Sequence, residues 1–361
     1  MSTTGFSATV QASFWAVVRT PLWVTMVSTV GVLTLVATAL TVFSDNATAD
    51  GLDAGRMALS FVTLLTLAFA LFTIPAIVDR VRPTTGASGF VDSFITAFIV
   101  GWSLLFAATP ALLWAMAATG VGADVWVPAL GSLKLEVLLV DVLVAIAFGS
   151  IRKPGTATAV AYGAIASLVA GPLLVLGVTA ALPGVKQTTY MWTMEWPKDG
   201  TGVDPVTGYP SDPKCPTKSA TTQVVPRYDL VWAVAPVNPF ALVSESVEPK
   251  LVTFVDRTYM GESEVVSDFS PRSTAPIDIF STIAISSRTL QLPADETVTI
   301  NECELLAETG QPYSSYPYGR AAADVLTNTT SGFVPGFVGQ LLVAGVWIAG
   351  MLVIPRVRRQ K

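Results

Sequence analysis

Six stretches of the chain are almost entirely apolar, and each is long enough to cross a bilayer as a helix, which takes about 20 residues. They are residues 22–43, 57–78, 94–117, 133–151, 160–182 and 333–354. The fourth is the least apolar because Glu136 and Asp141 fall inside it, and the fifth has Gly171 and Pro172 near its middle, which predict a break. The pattern predicts an all-α polytopic membrane bundle of about six transmembrane helices.

The composition changes after Pro183. Residues 184–332 are polar and rich in Pro, Thr and Ser, and alternating stretches such as 296–303 predict strands. We therefore expect three parts. Residues 1–183 would hold an N-terminal interfacial helix and transmembrane helices one to five. Residues 184–332 would form a mixed, partly β extracytoplasmic domain, and 333–361 the sixth helix and a basic tail.

Basic residues in short loops predict the orientation, because they favour the cytoplasmic side. Arg19 precedes the first span, Arg80 and Arg82 follow the second, and four basic residues follow the sixth, whereas residues 44–56 hold one Arg against three Asp. Both termini are therefore predicted to be cytoplasmic, in a bacterial plasma membrane. Residues 10–20 are predicted to lie along the inner leaflet as an amphipathic helix.

Residues 228–247 are moderately apolar but hold helix-disfavouring residues at their centre. A seventh span there would place the basic C-terminus outside, against the charge pattern. We predict instead a re-entrant or interfacial segment centred on Asn238, Pro239 and Phe240, protected by other helices. A seventh span is the alternative.

Composition excludes several kinds of chemistry. The chain is 52% hydrophobic and 13% charged and contains no histidine, so His-ligated metal sites and Ser-His or Cys-His nucleophile pairs are excluded. No phosphate-binding Gly-rich motif is present. The basic residues are too scattered for a nucleic-acid surface. We expect neither a bound cofactor nor a catalytic site. A membrane enzyme using Asp141, Asp229 or Glu302 is a third hypothesis, beside the two functions given at the end of this subsection.

The two cysteines, Cys215 and Cys303, lie in the same polar segment, on the side where disulfides persist. One intramolecular pairing exists, and it would stabilise the fold by roughly 4 to 5 kcal/mol on chain entropy for so long a loop. Two unpaired thiols are the alternative.

Asp141 is a carboxylate inside a predicted span, and such residues usually face the bundle interior or a wet cavity. It could line a substrate path or make a hydrogen bond between subunits. Alternatively, the helix is displaced, and Glu136 and Asp141 lie near the outer headgroups.

Four features together resemble the permease subunit of a type V class ABC exporter, especially its actinobacterial members. An amphipathic stretch ends in VVRTPLW (17–23) before the first span, and five spans precede a long outer segment and a sixth. WAVAPVNPFALVSES (232–246) resembles the family's Asn-Pro-Phe segment, and Tyr-Pro-Tyr-Gly (316–319) precedes a last span that ends in basic residues. The outer segment, at about 150 residues, is longer than in compact members of the class.

The resemblance implies that two permease subunits, identical or homologous, pair with cytoplasmic ABC ATPase subunits, which bind ATP and Mg. Residues 10–20 would be the connecting helix and 79–93 the coupling loop, although on charge alone 79–93 fits an ordinary inside loop. The residues it makes candidates for coupling to the ATPase are Arg19, Asp79, Arg80, Arg82 and Asp92. The candidates for a substrate path are Asp141, Trp102 and Trp114.

The function expected is therefore export of an apolar or amphiphilic molecule, with ATP hydrolysis on a partner subunit. The long outer segment suggests an extracytoplasmic partner as well. The competing hypothesis is a non-transporting membrane protein whose outer domain binds a ligand or an envelope component.

Overall fold

The computed structural model describes residues 3–43, 52–85, 90–151, 153–195, 202–203, 209–255, 258–260, 263–265, 272–294, 297–309 and 322–357. The long helices are α1 (Thr3–Val18), α2 (Pro21–Val42), α3 (Leu52–Thr85), α4 (Phe90–Thr119), α5 (Ala123–Ser150), α6 (Pro154–Ala181) and α11 (Phe333–Val357). The short helices are α7 (Pro239–Glu245), α8 (Ile279–Thr289), α9 (Glu302–Thr309) and α10 (Ala322–Asn328).

Five of the described helices are long and apolar enough to cross a membrane: α2, α3, α4, α6 and α11. The chain is thus a mostly helical, multi-pass membrane protein. The remaining predicted span, the fourth, corresponds to α5, which is 28 residues long but carries Lys134, Glu136 and Asp141. α5 packs against α3, α4, α6 and α11, so it lies among the candidate spans. Its crossing of the bilayer stays a prediction.

Pro21 separates the first two helices. The residue before a proline avoids the helical region, and Thr20 is extended at φ −74° and ψ 120°. Pro21 itself starts α2, where the missing N–H costs nothing. α1 buries Ser13 and Val17 and contacts α2, α3 and α4, while Phe14 and Trp15 stay exposed.

Several helices extend past their predicted ends. α3 runs to Thr85 and α4 begins at Phe90, so the predicted loop 79–93 shrinks to residues 86–89, which lie outside the described part. α5 begins at Ala123 rather than 133. Charged residues end an apolar run but not a helix, since Arg and Lys are good helix formers. Asp124, in the first turn of α5, is favourable at a helix N-terminus, and Pro128 lies inside the helix about one turn later.

The predicted break in the fifth span is wrong. α6 continues through Gly171 and Pro172 as one helix. Proline is tolerated in membrane helices when neighbours supply the missing hydrogen bonds. Pro172 leaves the Leu168 carbonyl without its usual helical donor, and the side chain of Asn238 donates from Nδ2 to the next carbonyl, that of Val169, at 2.8 Å.

Helix ends alternate between two sides of the bundle. At one side, an added Cβ on Gly149 of α5 would lie 2.8 Å from Phe90 Cα at the start of α4. At the other, Gly55 of α3 meets Thr119 and Val121. We call this second side the outer end, because the segment between α6 and α11 packs on it.

The strands of the outer segment are β1 (Val185–Thr193), β2 (Thr217–Val225), β3 (Leu251–Val255), β4 (Thr258–Met260), β5 (Ser263–Val265), β6 (Arg272–Pro276) and β7 (Thr297–Asn301). A three-stranded sheet has the order β2-β1-β7, with β1 antiparallel to β2 and parallel to β7. The strand predicted at 296–303 is present, although a helix begins at Glu302 because Glu favours a first turn. β3 pairs with β6, and β4 with β5.

Residues 228–247, which we call the short-helix segment, form two 3-10 turns, Tyr228–Leu230 and Trp232–Val237, followed by α7. No helix in this segment is long enough to span a bilayer, since its longest has seven residues. Pro236 and Val237 are buried against the glycine face of α11. A side chain at Gly336 would overlap the Pro236 carbonyl, so the backbones approach closely only because α11 has glycine there.

This close approach is testable with Gly336→Ala. The added methyl must displace a backbone carbonyl, and such overpacking typically costs about 1–3 kcal/mol. The control is Gly350→Ala in the same helix, where nothing lies within 4 Å of the new Cβ. Thermal unfolding of the detergent-solubilised protein should show a loss for the first variant and none for the second. Equal melting temperatures would contradict the packing described.

Candidate functional site

Asp141 is the most isolated charged group in the helical bundle. Its side chain is 0% exposed, and neither carboxylate oxygen has a hydrogen-bond partner among the described residues. It faces α4 at Gly101, where an added Cβ would lie 3.2 Å from both oxygens. At 1.5 Å per residue, Asp141 lies about 27 Å from Ala123 and about 14 Å from Ser150. Asp141 therefore faces the interior of the bundle, and its depth in a bilayer stays a prediction.

Glu136 is a second buried carboxylate on α5, at 1% exposed and five residues nearer the outer end. Its side-chain hydrogen-bond neighbour is Gln340 of α11. The Gln340 amide donates from Nε2 to the Val237 carbonyl oxygen at 3.1 Å. Glu136 Oε2 and Gln340 Oε1 have no partner in the described part of the chain. A polar line therefore runs from α5 through α11 to the short-helix segment.

A buried ion pair joins the bundle to the outer segment. Arg56, near the start of α3, donates from Nε to Asp278 Oδ2 at 2.7 Å and from Nη2 to the Glu248 carbonyl oxygen at 2.8 Å. The other oxygen of Asp278 accepts from the Ser281 N–H at 2.7 Å and caps α8. Both carboxylate oxygens are thus satisfied, as a buried charge requires.

A second buried pair lies within the outer end. Arg288, in the last turn of α8, donates from Nε to Glu245 Oε2 of α7 at 3.0 Å. The same oxygen accepts from the Gly332 N–H at 3.1 Å, and the Ser331 hydroxyl donates to the Glu245 carbonyl at 3.1 Å. One glutamate therefore holds α7, α8 and the residues that lead into α11.

The two outer carboxylates named in the enzyme hypothesis, Asp229 and Glu302, have structural partners. Arg227 donates two hydrogen bonds to Asp229, at 2.8 and 2.7 Å, and these hydrogen bonds lower the pKa of the Asp229 carboxyl. Glu302 is buried and accepts from the Met194 N–H at 2.7 Å. Neither is an unassigned acid or base, so nothing here favours the enzyme hypothesis.

The disulfide between Cys215 and Cys303 is confirmed, with the two Cα atoms 6.1 Å apart. Cys215 precedes β2, and Cys303 follows β7. These strands flank β1, whose residues Trp192 and Thr193 pair with Asn301 and Thr217. The bond therefore ties both edge strands together across one end of the central strand.

The coupling candidates lie at the inner ends of the helices. Arg19 is exposed, with its guanidinium 5.6 Å from the Trp15 ring centroid. Asp79 is partly buried, Arg80 is exposed, and Asp92 is in the first turn of α4. The side chain of Arg82 lies outside the described part of the structure.

The substrate-path candidates do not share one environment. Trp102 belongs to a ladder of aromatic rings four residues apart along α4, with neighbouring centroids 5.3 to 6.3 Å apart. The rings of this ladder are Phe90, Phe94, Phe98, Trp102 and Phe106. Phe106 is 69% exposed, so the ladder faces out of the chain. Trp114 contacts Phe43 near the outer end, whereas Asp141 faces inward.

The re-entrant candidates occupy the centre of the short-helix segment. Asn238 caps α7 by accepting from the Phe240 N–H at 2.9 Å, and Pro239 is the first residue of that helix. α7 and the turn before it contact α3, α5, α6, α8 and α11. Their depth in a bilayer stays a prediction, but the segment is buried against helices as expected.

A shallow apolar cleft lies between the sheet and the end of α8. Its apolar lining includes Val225, Pro226, Leu290 and Leu292, and Tyr228 lies at its side. Polar groups are few, so the cleft suits an apolar group better than a charged one.

Sequence reasoning missed the ion pairs and Gln340. Arg56 and Asp278 are 222 residues apart, and no local pattern connects them. Gln340 did carry a signal, because it is the one amide side chain in the sixth apolar stretch. Polar residues inside a span usually contact other helices.

Comparison of the chain with protein-family models, with curated proteins and with solved structures finds no match. The resemblance to exporter permeases therefore rests on the sequence features quoted above and stays a prediction.

The Arg56–Asp278 pair yields a stability prediction. Arg56→Met should cost about 3–5 kcal/mol, because it leaves a buried carboxylate without its cation. Adding Asp278→Asn, which keeps a cap for α8, should cost less than the two single changes summed. Lys214→Met is the control, since Lys214 and Asp212 are both exposed and 3.9 Å apart. Additive losses in thermal unfolding would mean that the charges do not interact.

The disulfide yields a second prediction. Replacing both cysteines with serine should destabilise the outer segment by about 2–5 kcal/mol, because the unfolded chain regains its freedom. Reductant should lower the melting temperature of the native protein and leave that of the double variant unchanged. A native protein that is insensitive to reductant after full reduction would contradict the assigned role.

Proposed function

We propose that this chain is the membrane-spanning permease subunit of an ATP-driven ABC exporter. It moves an apolar or amphiphilic molecule out of the cytoplasm or inner leaflet, in the plasma membrane of a bacterium, with both termini cytoplasmic. ATP and Mg bind to separate cytoplasmic ATPase subunits, and the chain itself is not an enzyme. A second permease subunit, identical or homologous, completes the pathway.

The observation that carries this proposal is the short-helix segment at the outer end. It is buried against α5, α6 and α11, yet it contains no bilayer-spanning helix. Such a segment closes the end of a bundle without crossing it, so it can move while every span stays in lipid. That arrangement suits a gate on an exit path.

The inner end offers surfaces for a motor. α1 contacts α3 and α4, and residues 86–89 connect those two helices in the sequence. Arg19, Arg80 and Asp92 lie near this region and are available to a partner. A push on the inner end of α3 is transmitted along α3 to Arg56, and through Arg56 to Asp278 at the outer end. The two-state change of an exporter could follow this route.

The apolar exposed surfaces support a membrane setting and a paired subunit. α2, α6 and α11 expose large side chains such as Leu40, Leu174 and Val346. The spans provide few charges, so the cargo is bound by apolar contact rather than as an ion.

The cleft beside Tyr228 favours a second candidate function. If the outer segment binds an envelope component there, the chain would act as a membrane-anchored binding protein. An extracytoplasmic partner of an exporter could use the same cleft.

Purification of the full chain from its host in mild detergent tests the proposal. An ATPase subunit and ATP hydrolysis should be retained, and Arg80→Glu should reduce both severalfold by reversing an exposed charge at the inner end. Lys214→Glu, an exposed charge in the outer segment, should leave both unchanged. The exporter proposal fails if no ATPase is retained or if the two variants behave alike.

A further inference from the structure

Four buried oxygen atoms on α5 and α11 are hydrogen-bond acceptors without a donor among the described residues. They are Asp141 Oδ1 and Oδ2, Glu136 Oε2 and Gln340 Oε1. The two carboxyl groups are five residues apart on α5, about 7.5 Å along the helix axis. A buried polar group without a partner is costly, and a buried unpaired charge is far more so. These oxygen atoms therefore need an interaction that the side chains around them do not supply.

No cation of the surrounding helices can balance it. Residues 57–78 of α3 and 93–119 of α4 contain no charged side chain. α6 contributes Tyr162, whose hydroxyl donates to the Phe72 carbonyl, and α7 contributes Glu245, which pairs with Arg288. Between Phe333 and Ile354, α11 carries no charge. The other charged groups on α3 and α4 lie toward the helix ends: Asp53, Arg56, Asp79, Arg80, Arg82 and Asp92. On α5, Asp124 is in the first turn, and Lys134, although only two residues from Glu136, is exposed whereas Glu136 is buried.

We propose that Asp141 is a proton-binding site in the interior of the bundle. Glu136, beside Gln340, is a second proton-binding group toward the outer end. In the closed packing the Asp141 carboxyl carries its proton and is neutral. When the bundle opens to water, one carboxyl O–H bond breaks, the proton passes to a water molecule, and the carboxylate is hydrated. Closing reverses the transfer.

A proton fits this site better than a metal ion. Ca²⁺ takes six to eight oxygen ligands and Mg²⁺ six, whereas Asp141 faces the backbone of Gly101 and the methyl groups of Val137 nearby. Gly101 also explains the tight enclosure. Because it lacks a side chain, α4 approaches the carboxyl closely, and no polar side chain at that position satisfies it.

The consequence is a link between proton occupancy and packing. The charged carboxylate stabilises only packings that admit water, and the neutral form stabilises the closed one, so proton concentration biases the conformational equilibrium. This goes beyond the proposed exporter function, because a proton site on α5 requires no ATPase partner. If no ATPase is retained in the purification, the proton-site proposal is unaffected. If the test of the proton site fails, the exporter proposal is unaffected.

Infrared difference spectroscopy of the full chain in lipid nanodiscs tests the proposal. Between about pH 6 and about pH 10, exposed carboxyls, with reference pKa values near 4, stay ionised and silent. The wild-type protein should show a reversible protonated-carboxyl C=O band that shifts in heavy water. The band should vanish in Asp141→Asn and persist in Glu302→Gln, which removes a buried carboxylate that already has a donor.

Asp141→Glu is a second test of the same carboxyl group. If Asp141→Asn does not fold, Asp141→Glu should retain the band at a changed position, whereas an unchanged band overturns the assignment. A wild-type spectrum with no titrating carboxyl band, or one whose band survives both Asp141 variants, also overturns it. Glu136→Gln should remove at most a second, separate component.

Discussion

A chain in lipid must satisfy its own polar groups, because the hydrocarbon offers no hydrogen bonds. This constraint explains the side-chain hydrogen bonds between the long helices. The Trp23 indole donates to the Ser103 hydroxyl at 2.8 Å, and the Trp347 indole donates to Ser167 at 3.1 Å. Buried threonines such as Thr34 and Thr66 return their hydroxyl hydrogens to the carbonyl four residues earlier. Each polar atom so paired can be buried at little cost, and the helices pack through apolar surface around it.

The same constraint gives the outer end its form. Pro172 disturbs the hydrogen bonding of α6, and Asn238 reaches it from outside the helix. Gln340 does likewise for the carbonyl of Val237, at the end of a 3-10 turn. The short-helix segment is therefore held by side-chain amides from both directions, and by glycines that let α11 approach it. Two buried ion pairs complete the connection to α3 and α8.

Sequence reasoning predicted what depends on long, uniform stretches. Five apolar runs correspond to helices long enough to span, and the cysteines could pair in one way only. Helix ends were less predictable. Arg80 and Arg82 end the apolar run of the second span, but α3 continues past them to Thr85. The break expected at Pro172 did not form, and Asn238, which donates to the nearby Val169 carbonyl, lies 66 positions later in the chain. Arg56 and Asp278 likewise meet only through the fold. Interactions between distant residues depend on packing, which no local pattern contains.

The buried carboxylates are of two kinds, those with a partner and those without, and the two kinds affect helix packing differently. In the outer segment, Asp278 pairs with Arg56, Glu245 pairs with Arg288, and Glu302 accepts from the Met194 N–H. In the bundle interior, Asp141 and Glu136 have no cationic partner among the described residues. Paired charges favour one geometry, because separating them leaves both desolvated. Unpaired carboxyls favour whichever packing admits a proton or water. The ion pairs fix the helices at the outer end, whereas the unpaired carboxyls in the interior are compatible with more than one packing of the same helices. α5 carries these carboxyls and lies between α3, α4 and α11. Its surroundings are therefore what would change between two such packings.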